Sequence, residues 1–127
     1  MTREYLYVGL AVVFTAISQI SMKRGMNEIG SLPGELQLVL PYLGKILQNL
    51  NVLSGILFGL IAAISWLSAL PKVQLSYAYP ILSLTFVLVA LLSALVFKEE
   101  ISLMQWLGIA VIIFGIYLVS RGSSLWN

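Results

Sequence analysis

Four long apolar runs, separated by short polar or charged segments, dominate the sequence. Each run is close to the roughly 20 apolar residues that an α-helix needs to cross the hydrocarbon core of a bilayer. We therefore predict an all-α integral membrane protein, a single domain with four transmembrane helices. The predicted spans cover residues 3–22, 52–70, 76–97 and 103–120.

The long connection lies between the first two predicted spans. Its first half is rich in turn-forming residues, namely Gly25, Asn27, Gly30, Ser31, Pro33 and Gly34. From Glu35 to Leu47 the pattern becomes apolar again. This segment is either a short interfacial helix between helices one and two or an early extension of helix two. We favour the interfacial helix.

The composition excludes several broad classes of protein. Hydrophobic residues make up 60% of the chain and charged residues 9%, whereas a soluble domain is about half apolar and a quarter charged. The net charge of +2 is too small to indicate a nucleic-acid partner. The chain has no cysteine and no histidine, so it lacks disulfides and the commonest metal ligand and general base. We expect neither a metal nor a cofactor.

A polar cluster interrupts the third apolar run, in the stretch Tyr77-Ala78-Tyr79-Pro80-Ile81-Leu82-Ser83. Pro80 is expected to bend the helix, because proline lacks a backbone donor. Polar groups in lipid need partners, so the cluster should face other helices or a wet cavity. It is either packing between helices or the wall of a transport pathway.

A second set of polar residues lies in the first span. Thr15, Ser18, Gln19 and Met22 share one side of the predicted helix. Each polar residue of the two spans lies on the polar side of its own helix and needs a partner. We therefore predict one shared groove, lined by Thr15, Gln19, Tyr79 and Ser83.

Two cations, Lys23 and Arg24, end the first span. They are either charge anchors at the membrane interface or receivers of a lipid phosphate. Lys72 marks another interface. The positive-inside rule does not fix the orientation, since three cations fall on one predicted side and four on the other.

All five acidic residues lie at span ends or in loops: Glu4, Glu28, Glu35, Glu99 and Glu100. We interpret Lys98-Glu99-Glu100 as a solvated turn. A proton-coupled cation exporter of ordinary design needs a carboxylate inside the membrane, and none is predicted there. Nucleophile–base pairs, paired carboxylates and metal-ligand clusters are missing too. The chain is therefore not expected to be an enzyme.

Two pairs of glycines predict close helix packing. Gly55 and Gly59 form a small-xxx-small face in the second span. Gly108 and Gly115, seven residues apart, lie on one face of the fourth span and would let another backbone approach closely.

The polar and glycine positions described above make the chain resemble the drug/metabolite transporter superfamily. In its length the chain resembles the small multidrug resistance branch of that superfamily. The chain is also similar, over nearly its whole length, to the paired small subunits of the undecaprenyl-phosphate-aminoarabinose flippase. The matching segments are Ser18-Gln19-Ile20 with Lys23, the Trp66 segment, the stretch from Ala78 to Leu84, Lys98-Glu99-Glu100-Ile101-Ser102, and the helix from Trp106 to Gly115. The essential glutamate of the multidrug branch would fall at Thr15 and its substrate-facing tryptophan at Leu82. Both departures argue against export of lipophilic cations.

The resemblance implies a flippase of the bacterial inner membrane that moves a polyisoprenyl-phosphate-linked sugar or a similar amphiphilic lipid. It implies a dimer, with itself or with a similar small subunit, in which Gly108 and Gly115 lie at the interface. The residues expected to bind the substrate are Thr15, Ser18, Gln19, Lys23, Arg24, Tyr77, Tyr79 and Ser83. Two alternatives remain: an exporter of small solutes or cations, and a non-transporting membrane subunit that positions a glycosyltransferase.

Overall fold

The computed structural model describes residues 2–124, in which every regular element is helical. The α-helices are α1 (Thr2–Ile29), α2 (Val39–Gln48), α3 (Leu50–Ala69), α4 (Leu75–Leu82), α5 (Leu84–Val96) and α6 (Leu103–Ser124). Single 3₁₀ turns cover Leu36–Leu38 and Leu70–Lys72. Within the described residues, four helical segments are long and apolar enough to cross a membrane, namely Arg3–Ile29, Leu50–Lys72, Leu75–Val96 and Leu103–Gly122. The predicted fold class is thereby confirmed.

The first helix is longer than the predicted span and continues to Ile29. Lys23 and Arg24 end the apolar stretch but not the helix, because both side chains favour helical backbone. The helix stops at Gly30, whose φ of 95° is readily adopted by glycine. The N–H of Gly30 donates to the carbonyl of Met26 at 2.9 Å and so closes the last turn.

The apolar part of the long connection between the first two spans forms a separate helix, α2, and is not an extension of the second span. Asn49 separates the two, with extended backbone and a side chain that accepts hydrogen bonds from the N–H groups of Asn51 and Val52 at 2.9 and 3.1 Å. This is an N-cap, which satisfies otherwise unpaired donors at the start of α3. On α2, Tyr42 is buried and its hydroxyl donates to the carbonyl of Gly30 at 2.9 Å.

The third span is divided in two at Ser83, three residues after Pro80. The N–H of Ser83 contacts the carbonyls of both Tyr79 and Pro80, at 3.2 and 3.1 Å. Its hydroxyl also donates to the carbonyl of Pro80. Proline cannot donate to the preceding turn, and the predicted bend appears as this short break between α4 and α5.

Helices α1 and α3 cross closely at the end of α1, as the small-residue face of the second span predicts. A Cβ placed on Gly55 would lie 2.5 Å from Cγ of Met22 and 3.0 Å from the carbonyl oxygen of Ser18. One placed on Gly25 would lie 2.5 Å from Cγ2 of Val52. Such contacts require glycine, because an added methyl group would force the two backbones apart.

The opposite end of the bundle contains its most deeply buried residues. Val8, Ala69 and Ala78 are fully buried and bring together α1, α3 and α4. The partly buried side chains that surround them are Trp66, Val73, Ile81 and Leu82. Small residues at the centre allow these helices to approach closely.

Helix α6 is the least covered of the four spans. None of its most apolar 18-residue window is buried, and its main contacts are with α4 and α5. A Cβ added to Gly108 or Gly115 would meet nothing within 4 Å. The two glycines predicted to lie at a dimer interface therefore occupy open surface in the single chain.

Candidate functional site

An open groove lies between α1, α3 and the third span. Its volume is about 460 Å³, and it adjoins a second space of about 470 Å³ that continues along α5. The residues that line the first space are Ala11, Thr15, Ser18, Gln19, Gly59, Ala62, Ala63, Trp66, Leu82, Thr85 and Phe86. Thr15, Gln19, Thr85 and Phe86 line both.

Three polar side chains of the groove are free to bind a ligand. Thr15, Gln19 and Thr85 take part in no hydrogen bond with the rest of the described chain. Most of the other lining residues are aromatic or aliphatic, and Trp66 and Phe86 are the largest of them. A mixed polar and apolar lining fits an amphiphilic molecule or a sugar, whose hydroxyls seek hydrogen bonds and whose ring packs on flat side chains.

Ser18 also borders the groove, but its hydroxyl already has a partner. It donates to the carbonyl of Gly55 at 2.6 Å, and the residue is 4% exposed. This hydrogen bond joins α1 to α3. Of the polar residues on this side of α1, Gln19 is exposed and Ser18 is buried.

The predicted tyrosine and serine residues of the third span lie beside the groove rather than along it. Tyr79 is 58% exposed, and its ring meets that of Trp66 edge-on, with centroids 5.4 Å apart. Ser83 is not a lining residue, since its hydroxyl turns back to Pro80. Tyr77 packs edge-on against Tyr5, with centroids 5.1 Å apart.

The groove face of the third span is instead formed by Leu82, Thr85 and Phe86. Leu82 is the last residue of α4, and Thr85 and Phe86, three and four residues later, lie at the start of α5 beyond the break at Ser83. Thr85 was not predicted. The signal that could have found it is a threonine in a largely apolar helix.

The two cations at the end of the first apolar stretch have different surroundings. Lys23 forms an ion pair with Glu99, and its Nζ lies 4.9 Å from the centre of the Phe97 ring. Arg24 is exposed and makes no ion pair within residues 2–124. At the other end of the bundle, Nζ of Lys72 lies 4.0 Å from a carboxylate oxygen of Glu4.

Lys23 lies on the same side of α1 as the groove residues. Thr15, Gln19 and Lys23 follow at intervals of four residues, which places them in one column with about 6 Å between neighbours along the axis. Lys23 and its acidic partner therefore lie about one helical turn beyond Gln19, next to the residues that line the groove.

Comparison with known proteins places these features in a family. The model of the EamA-like transporter family matches residues 37–121. The chain is 33% identical over 116 residues to the probable 4-amino-4-deoxy-L-arabinose-phosphoundecaprenol flippase subunit ArnE of Pectobacterium atrosepticum, covering 91% of this chain and 96% of that protein. The chain is 36% identical over 119 residues to the probable flippase subunit ArnE of Yersinia pseudotuberculosis serotype O:3, covering 92% of this chain and 96% of that protein. No solved structure was found to match the chain.

Proposed function

The chain belongs to the EamA-like transporter family, and we propose that it is one subunit of a small flippase that moves a polyisoprenyl-phosphate-linked sugar across the bacterial inner membrane. Two relatives are named as subunits of a flippase for a sugar linked to undecaprenyl phosphate, and the proposed substrate class and subunit role follow from that similarity. The chain itself supplies a polar groove within an apolar bundle. No carboxylate lies among the residues that line the groove between α1, α3 and the third span.

The observation that carries the proposal is the pairing of free polar groups with an open apolar wall. Thr15, Gln19 and Thr85 offer neutral hydrogen bonds, and Trp66 and Phe86 offer flat faces for a sugar ring. Because the groove is open on one side, the polyisoprenyl chain can remain in the lipid while the headgroup passes along the polar stripe. Burying a sugar in pure hydrocarbon would instead leave its hydroxyls unpaired.

The proposed working unit is a dimer, of two identical chains or of this chain with a similar small subunit. The uncovered α6 supports it, since Gly108 and Gly115 leave room for a neighbouring backbone. Four spans also enclose little volume, which favours a working unit of more than one chain.

Gln19→Leu tests this function. The purified chain is reconstituted in liposomes with undecaprenyl phosphate carrying 4-amino-4-deoxy-arabinose, and an impermeant amine reagent measures how fast inner headgroups reach the outer leaflet. We expect Gln19→Leu to slow this movement about five- to tenfold, the value of one lost hydrogen bond. Gln48→Leu, an identical change at an exposed position of α2, is the control.

The same measurement separates the proposal from a scaffolding role. A subunit that only positions an enzyme needs no polar groove, so it would give no movement above protein-free liposomes and would tolerate Gln19→Leu. Movement of a lipophilic cation but not of the lipid-linked sugar would favour the exporter alternative.

A further inference from the structure

The ion pair between Lys23 and Glu99 joins two distant parts of the chain at one end of the groove. Lys23 belongs to α1, and Glu99 to the turn between α5 and α6. The ring of Phe97 lies under the same ammonium group, with 4.9 Å from Nζ to the ring centre. Lys23 is thus held by an acidic oxygen on one side and an aromatic face on the other.

The backbone of this turn is shaped to bring the carboxylate back towards α1. Lys98, the residue before Glu99, has a φ of 55°, the single positive φ among the non-glycine residues from 2 to 124. This region is unfavourable for a residue that carries a side chain. The turn places Glu99 opposite Lys23 despite that cost.

The pair is accessible and therefore easily exchanged. The side chains of Lys23 and Glu99 are 44% and 43% exposed, and ion pairs this exposed to solvent contribute little to stability. A phosphate group offers the same anionic oxygens and more of them. Glu99 also borders a cavity of about 270 Å³ between α5 and α6, which gives its side chain a place to turn.

We propose that Glu99 occupies the phosphate position on Lys23 in the empty protein, and that the phosphate of a membrane lipid displaces it when the headgroup reaches the end of the groove. This inference rests on the proposed function. It makes Glu99 an internal competitor for Lys23: an anionic group can displace it, whereas a neutral lipid of the same chain length leaves the ion pair intact.

Binding of undecaprenyl phosphate to the full chain in phosphatidylcholine nanodiscs tests the proposal. Glu99→Gln removes the competitor and should tighten binding about two- to fivefold, the fold-change that corresponds to an exposed ion pair. Glu100→Gln removes the neighbouring charge, which has no ion pair with Lys23 in the described residues, and should change affinity less than twofold. A gain of affinity cannot arise from a misfolded variant.

Two further arms identify the source of the phosphate and the role of Lys23. Undecaprenol, which lacks the phosphate, should bind equally to wild type and Glu99→Gln, and inorganic phosphate should not compete at millimolar concentration. In a variant that already carries Lys23→Gln, the additional change Glu99→Gln should leave the affinity for undecaprenyl phosphate unchanged.

Equal tightening by Glu99→Gln and Glu100→Gln would overturn the proposal, because it would indicate a general charge effect. The proposal would also be overturned if Glu99→Gln tightened lipid binding just as much in the Lys23→Gln variant. Either result leaves the flippase assignment intact if Gln19→Leu still slows transport. Failure of wild type to bind or move the lipid would instead overturn the proposed function.

Discussion

The hydroxyl of Ser18 donates a hydrogen bond to the carbonyl oxygen of Gly55, 37 residues away, across a distance of 2.6 Å. Two helices can approach this closely only because position 55 has no side chain, and the approach brings Gly59 to the same serine. Ser18, the neighbour of the proposed substrate-binding residue Gln19, therefore stabilises the pairing of α1 with α3. The two neighbouring polar residues differ in their surroundings, because Ser18 is buried and Gln19 is exposed.

Gly55→Ala should destabilise the fold more than any other glycine-to-alanine change in the groove region. The new methyl group would lie 2.5 Å from Met22 Cγ, an overlap that costs about 1–3 kcal/mol. Unfolding of the purified chain in mixed micelles would measure this loss. Gly9→Ala on α1 is the matched control. There a Cβ meets nothing within 4 Å, and the higher helix propensity of alanine should leave stability unchanged or raise it by up to about 1 kcal/mol.

Thr85→Val should reduce transport of the lipid-linked sugar without changing stability. The substitution keeps the shape of the side chain, and the lost hydroxyl has no partner within the described chain. A fivefold loss of transport, about 1 kcal/mol, is expected from the liposome measurement. Ser68→Ala, which removes an exposed hydroxyl that bonds only to its own helix, should transport normally. Equal effects of the two changes would contradict a binding role for Thr85.

Transport by the wild-type protein should be flat between about pH 5.5 and 8. The chain has no histidine, and the residues lining the groove between α1, α3 and the third span include no carboxylate, so no group there changes charge in this range. Initial rates of transport, measured at several pH values across this range, would test the prediction. Thr15→Glu introduces a carboxylate into the groove, and its rate should depend on pH. A steep profile in the wild type that survives Glu99→Gln and Glu100→Gln would contradict the prediction.

Gly108→Leu and Gly115→Leu should abolish the proposed dimer while leaving the single chain as stable as the wild type. A Cβ at either position meets no other atom of the described chain within 4 Å, so we expect the main effect to arise between subunits; unfolding of the purified chain checks that the single chain is unchanged. Cross-linking in nanodiscs would report the oligomer. Ala110→Leu adds the same bulk at an exposed position on a different face of α6 and should preserve association. A dimer that tolerates both glycine changes would place the interface elsewhere.

The membrane spans could be predicted because each depends on an apolar run within the chain itself. The bend at Pro80 and the close packing at Gly55 were predictable for the same reason: a missing donor and a missing side chain act locally. The third span shows the limit of this reasoning. Helical spacing puts Tyr79, Ser83 and Phe86 on one face, but the break at Ser83 interrupts the helix, and only Phe86 lines the groove.

The partners of individual side chains could not be predicted in the same way. Lys23 and Glu99 are 76 residues apart, and their contact depends on how α1, α5 and the turn at Lys98 are arranged. The sequence assigned Glu99 to a solvated turn, which its partial exposure allows, but held no signal for the cation that meets it. Likewise, Ser18 and Gln19 look equivalent as polar residues of one helix, and only the position of Gly55 distinguishes them.

The uneven covering of the four spans also bears on how the protein is assembled in the membrane. Each apolar helix is stable in lipid by itself, and folding then consists of helices meeting one another. Because α1 and α3 share the closest contacts and α6 is the least buried span, we expect the first pair to associate soon after both are inserted, while the last helix stays unattached for longer. The final step of assembly would then be association with a second subunit. In a chain without that subunit, the last helix would remain exposed to the quality-control machinery of the membrane.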